Sequence, residues 1–213
     1  MATRTAAKPS ARERLLAAAN ELFYAEGVQS VGIDRVIEHA GVAKASLYNT
    51  FGNKEGLVRA YLEARRDANT DRIGRALTRF RTPRERLLGI FDAQGDLFTS
   101  PGFNGCAFVA ASAEAPHGST VELVSDGYRA WLRGLFTELA AEAGAADPAL
   151  LGRQLHLLYD GSTLSARMDR DPTAASFARD AAAALLDAAP KADAALTADV
   201  ARKTGVVEPA EQG

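Results

Sequence analysis

Between residues 44 and 54 the chain sets Lys44, Ser46, Tyr48, Asn49, Thr50 and Lys54 within three turns' length of one another. These are the residue types that touch a polyanion. Lysines neutralise phosphates, hydroxyls fix register on a duplex, and amides and hydroxyls address base edges in a groove. Arg35 adds a further cation upstream, and Arg4 and Lys8 lie where a mobile arm could follow the same partner. Each could equally be a solvated surface residue, so the reading depends on the elements that carry them.

Other chemistry-bearing types do not assemble. His156, Asp160 and Ser162 invite a triad, but all three fall on one predicted helix, with no nucleophile elbow or oxyanion loop. No catalytic residue is assigned, and an enzyme is not expected. Cys106 is the single cysteine, which excludes an internal disulfide framework and a multi-cysteine metal site. No Lys or Arg lies within ten residues of it to lower its pKa, so a buried structural thiol is expected. His117 and His156 lack partners at metal-ligand spacing, and no metal or cofactor is expected.

The positioning elements read as helices. Ala, Leu, Arg and Glu dominate, and no Asn-Gly or Asp-Gly turn joins alternating segments. Residues 1–9 read as a disordered arm. Ser10 with Glu13 forms a capping box that opens a helix running to about Glu26, stopped by Gly27. A short helix from Gly32 ends at Gly41. A second short one, about 43–50, ends at Gly52-Asn53. Two short helices around Gly41 have the layout of a helix-turn-helix, with Leu47 and Phe51 facing inward and the polar set outward. Longer helices follow over about 54–80, 84–99, 105–115, 120–143, 148–168 and 172–189, and residues 191–213 read as a loose tail.

The charge is uneven. Residues 1–86 carry 16 Lys/Arg against 10 Asp/Glu, while residues 87–213 carry 9 against 17. A basic front half beside an acidic back half points to a polyanion partner for the front alone. No apolar run reaches the ~18 residues of a membrane span, and residues 1–10 lack the apolar stretch of a secretory signal. A cytoplasmic protein without membrane association is the simplest expectation.

The segment AGVAKASLYNTFGNKEGL at 40–57, with Leu22-Phe23 and Gly27 ahead of it, resembles the DNA-binding domain of the TetR family of transcriptional regulators. Ala40-Gly41-Val42, Lys44, Leu47-Tyr48, Phe51, Lys54 and Leu57 stand at that family's spacing. The resemblance covers the first quarter in residue detail; over the rest it is one of length and helical content. Three departures bear on what is read. Ile37 stands where the family often has a small residue at the crossing of the short helices, Ala43 and Ala45 stand for Ser and Gly, and Thr50 stands for His.

The resemblance implies an all-α fold of about nine helices. Residues 1–53 would form the DNA-binding domain, 54–190 a ligand-binding and dimerisation domain, and 191–213 the tail. It further implies a repressor that a small-molecule effector releases from a palindromic DNA operator. DNA contacts are expected from Arg35, Lys44, Ser46, Tyr48, Asn49, Thr50 and Lys54. An effector cavity between helices is implied, and Phe91, Phe98, Phe108, Trp131 and Tyr159 are the candidates for its wall. A homodimer is expected through the last two long helices, where Ala174, Ala175, Ala178, the run 181–184, Leu185 and Leu186, with Gly152 and Gly161, would permit close approach. An activator or ligand-independent DNA binder of the same fold remains open, as does a helical small-molecule-binding protein with no DNA role.

Overall fold

The computed structural model describes residues 9–113 and 115–192; the arm with Arg4 and Lys8, and most of the tail, lie outside the described residues. Among these the chain forms nine helices and no strand: α1 (Ala11–Glu26), α2 (Ile33–Ala40), α3 (Lys44–Phe51), α4 (Lys54–Leu77), α5 (Pro83–Phe98), α6 (Ala107–Ser112), α7 (Thr120–Glu142), α8 (Pro148–Met168) and α9 (Ala174–Ala188). The ends follow local chemistry. Ser10 and Glu13 cap one another at α1, as the sequence predicts, and Thr82 and Glu85 repeat the device at α5. Pro83 and Pro148 occupy first turns, where a missing N–H costs nothing. α6 is shorter than expected at both ends: Gly105 at φ +85° and Cys106 in extended conformation delay its start, and it closes at Ser112 with Ala113 as C-cap.

Among the described residues two large apolar cores run through the molecule, with a smaller cluster of Phe98, Ala166, Ala174 and Ala175 beside them. The first joins α1, α2 and α3 around Leu15, Phe23, Val36, Ile37 and Leu47, and continues through Leu57, Tyr61 and Leu62 of α4 to Phe108 and Tyr128. The second joins α5, α7, α8 and α9 around Ile90, Phe91, Phe136, Leu155 and Ala182, with Ile73 of α4. α4 therefore packs in both, its first half against the short helices and its second half against the larger bundle. Full burial of an aliphatic or aromatic side chain contributes about 1.5–3 kcal/mol, so α4 is strongly anchored at each end.

Only part of the α9 set that the sequence suggests is available at a surface: Ala184 is exposed and Ala181, Ala183 and Leu185 are half-buried. Ala174, Ala175, Ala178, Ala182 and Leu186 are buried within this chain, and α9 packs on α5 and α8. Gly152 is likewise internal: a Cβ there would lie 3.0 Å from the Thr137 backbone of α7. Small residues serve the packing of the chain on itself. What the last helices present outward is Leu157, Leu164 and Met168 of α8 and Phe177 of α9, exposed by 70, 60, 71 and 69%. Gly161 lies in open space on that same side of α8.

Candidate nucleic-acid interface and interior cavity

Gly41 makes the turn between α2 and α3. Its φ of +60° and ψ of 42° is left-handed, a conformation costly for residues with a Cβ. Arg14 of α1 braces this turn from outside, donating from Nη1 to the Gly41 carbonyl at 2.9 Å. Sequence reasoning misses that brace, since nothing local pairs residue 14 with residue 41. Ile37 is buried beside the turn, its carbonyl accepting from Gly41 and Val42.

Leu47 is fully buried and Phe51 half-buried, so α3 is seated by its inner face. Lys44, Tyr48, Asn49 and Thr50 are exposed and Ser46 is half-buried; Tyr48 retains 44% exposure, high for an aromatic side chain. Thr50 turns its hydroxyl back, donating to the Ser46 carbonyl at 2.6 Å. Ala43 precedes α3 as an N-cap with no side-chain acceptor, so the helix opens on uncapped N–H groups. Lys54 is the first residue of α4, where Asn53 accepts from Gly56 N at 2.8 Å. A Cβ at Gly56 would collide with the Phe51 carbonyl, so glycine permits this close return of the chain.

Two cations of this face are already engaged. Lys44 pairs with Asp34 of α2 at 2.8 Å, and Arg35 makes a two-pronged pair with Glu26 of α1. The carboxylates lift both cations' pKa values, chiefly by hydrogen bonding. Both pairs are exposed, which puts them in the class that contributes little to stability. Their effect is on position, since Arg35 points toward α1.

A cavity of about 410 Å³ lies between α1, α4, α5, α6, α7 and α8. Phe108 and Tyr159 line it. Phe91, Phe98 and Trp131 do not. Phe91 is wholly buried against Phe136 and Tyr159, Phe98 packs on Phe103, and Trp131 stacks on the outer side of Tyr128 with its centroid 6.0 Å away. Aromatic content thus marks core packing more than cavity wall. The polar lining was not anticipated: Arg65 and Asn69 one turn apart on α4, and His156 and Asp160 one turn apart on α8. Their i, i+4 spacing on otherwise apolar faces was the available signal.

The groups in the cavity are mostly held neutral. Burial pushes the phenols of Tyr128 and Tyr159 up, and does the same to the Cys106 thiol. Burial also lowers the His156 pKa, against the opposing pull of Asp160. Arg129 donates to Asp160 at 2.8 Å. Tyr24 of α1 reaches the cavity as well, so an element of the first core contributes directly to its wall. Among the described residues no helix is long and apolar enough to cross a membrane, and no group of three or more His, Cys, Asp or Glu could hold a metal ion.

Comparison with known proteins identifies the first of these features. Residues 15–61 match the family model described as bacterial regulatory proteins, tetR family. A curated relative, the HTH-type transcriptional activator FasR of Mycolicibacterium smegmatis, is 34% identical over 82 residues, which are 38% of this chain and only 37% of that protein. E. coli NemR in its reduced form shares the fold, with a TM-score of 0.72 at 24% identity over 82% of this chain and 97% of that chain. A TetR-family transcriptional regulator from Streptomyces coelicolor aligns with a TM-score of 0.79 and 34% identity, over 83% of this chain and 94% of that chain. With the helix-turn-helix geometry and an alignment along nearly that whole regulator, the chain belongs to the TetR family of transcriptional regulators.

Proposed function

We propose that the chain works as a homodimeric repressor that leaves a palindromic DNA operator when a small molecule enters the cavity. The observation that carries this is the contact of α1 and α4 with both regions: the helices that seat α3 also supply Tyr24 and Arg65 to the cavity wall. A ligand that prefers one arrangement of that wall shifts the population of recognition-helix positions. In this reading Lys54, Lys44 and Tyr48 contact phosphates, with Arg35 reaching DNA only on leaving Glu26. Ser46, Asn49 and Thr50, with Lys44, carry base preference. The DNA-binding unit is residues 1–53, with 54–190 as sensor and dimerisation unit, and the protein acts in the cytoplasm. The second copy covers Leu157, Leu164, Met168 and Phe177.

Selection over random duplex DNA tests the assignment. Wild type should return a near-palindrome with half-sites ~34–36 Å apart or slightly more. An Asn49→Ala, Thr50→Ala double variant should return a different preferred site, and recovery of the same site removes both residues from base readout. The activator reading has one supporting observation, the printed role of the Mycolicibacterium smegmatis relative. A promoter-reporter assay with and without the protein separates the two, since a repressor lowers basal output and an activator raises it.

A further inference from the structure

The cavity's polar groups are unequally satisfied, and the imbalance has a chemical sign. Arg129 is neutralised by Asp160. Arg65 meets no carboxylate among the described residues. Its guanidinium lies 3.7 Å above the Tyr24 ring, its Nη2 donates weakly to the Asn20 carbonyl at 3.5 Å, and its buried Nε has no hydrogen-bond partner. His156 is only 5% exposed, yet its buried Nε2 also has no partner, with Asp160 Oδ2 at 3.6 Å. A buried polar atom left unpaired costs about 1–3 kcal/mol. Both side chains belong to the wall of the same cavity, so a small reorientation toward a bound ligand would pair them and remove that cost.

The remaining wall constrains shape. Phe108 and Tyr128 stack at 4.3 Å with their planes 14° apart, and Leu97 and Cys106 add apolar surface. The volume of about 410 Å³ falls at the lower end of the roughly 300–1,000 Å³ range of small-molecule sites. With one arginine in excess over carboxylates and the tyrosines, cysteine and histidine neutral, the interior favours a single negative charge.

We propose that the effector is a compact, flat aromatic monoanion with a second polar substituent. Its carboxylate takes the fork of Arg65, its ring lies along Phe108 and Tyr128, and a hydroxyl at its other end meets His156 Nε2. A hydroxyl serves either tautomer of the imidazole, accepting from one and donating to the other. This deepens the effector reading above and rests on it. Because Arg65 stands over Tyr24, a carboxylate at the guanidinium acts directly on the α1–α4 contact.

The probes are 6-hydroxy-2-naphthoate, 6-hydroxy-2-naphthamide, which lacks the charge, and 2-naphthoate, which lacks the hydroxyl. Calorimetric titration of the full-length protein should give the acid at least tenfold tighter binding than the amide, since a charge-assisted pair at a guanidinium is worth that ratio or more. 2-Naphthoate should bind at least threefold more weakly than its hydroxy form. Arg65→Met should bring acid and amide to equal affinity, Arg65→Lys should keep part of the preference, and His156→Gln should erase the preference for the hydroxyl. The wild-type comparison stands even where a variant folds poorly. Equal or tighter binding of the amide, or no binding of any probe at millimolar concentration, overturns the inference. A parallel gel shift separates it from the regulatory reading. Operator release by a neutral or cationic compound overturns the anion assignment and leaves the reading intact. Tight binding of the acid without any operator binding supports the anion assignment and overturns the reading.

Discussion

Tyr24 and Asn104 hold one another across 80 residues of chain: the Asn104 backbone N–H donates to Tyr24 Oη at 2.8 Å, and the Asn104 carboxamide donates to the Tyr24 carbonyl at 2.7 Å. Tyr24 Oη in turn donates to the Gly105 carbonyl at 2.9 Å. The end of α1 is thereby tied to the segment that carries Cys106 into the cavity wall.

Asn104→Ala should loosen that tie without touching the recognition helix. Operator affinity in the absence of effector should stay within about twofold, while the factor by which effector lowers that affinity should fall roughly fivefold or more. Anisotropy titrations with and without effector measure both. An unchanged factor means that the clasp carries no coupling.

In the proposed complex, Lys44 would exchange Asp34 for a phosphate. Asp34→Asn removes the competitor and one negative charge, so affinity for all sequences should rise about 3–10-fold. Lys54→Ala should lower it for all sequences and flatten the dependence of log K on log salt by about 2 per dimer, near 0.9 per lost contact. A steep slope retained in the Lys54 variant would place that lysine away from the backbone.

Leu157→Glu with Phe177→Glu should yield a folded monomer in sedimentation at micromolar concentration, because carboxylates in a dry seam cost several kcal/mol. Ala178→Glu should instead lower the melting temperature sharply, since Ala178 is packed inside the chain. A stable dimer in the double variant would show that another surface joins the copies.

His156 is held neutral by burial, with Arg129 and Arg133 reinforcing the effect and Asp160 opposing it. The unfolded chain therefore binds a proton at a higher pH than the folded one. Stability from this group is complete above the ordinary histidine range and is lost as pH falls through that range toward the folded value. His156→Gln should flatten the fall of melting temperature between about pH 7 and 5. An equally steep fall would assign the acid sensitivity to other groups.

Local signals in the sequence specify most of the helix ends. Ser10, Gly27, Gly41, Pro83 and Pro148 act within a few residues of themselves, so capping and punctuation are readable in one dimension. The outward set on α3 follows from the burial of Leu47 for the same reason. The cavity is a different case. It depends on which faces of six helices meet, and Arg65 and His156 lie 91 positions apart in sequence. Ala174, Ala175, Ala178 and Ala182 of α9 turn inward because a small side chain fits a seam within one chain as well as one between two. Only the burial pattern distinguishes these, and it moves the outward apolar face to Leu157, Leu164 and Phe177.

In the proposed regulator the unbroken run of α4 would convert a small rotation into a larger displacement. At about 1.5 Å per residue its 24 residues span about 36 Å, and the eleven steps from Arg65 back to Lys54 span about 16 Å. Pivoting about the cavity by about 10° would carry Lys54 sideways by about 3 Å, from the same rise per residue. In the proposed twofold assembly the rotation axis repeats that displacement on the second copy, so where the two point apart they add to about 6 Å of misfit between half-sites on the duplex.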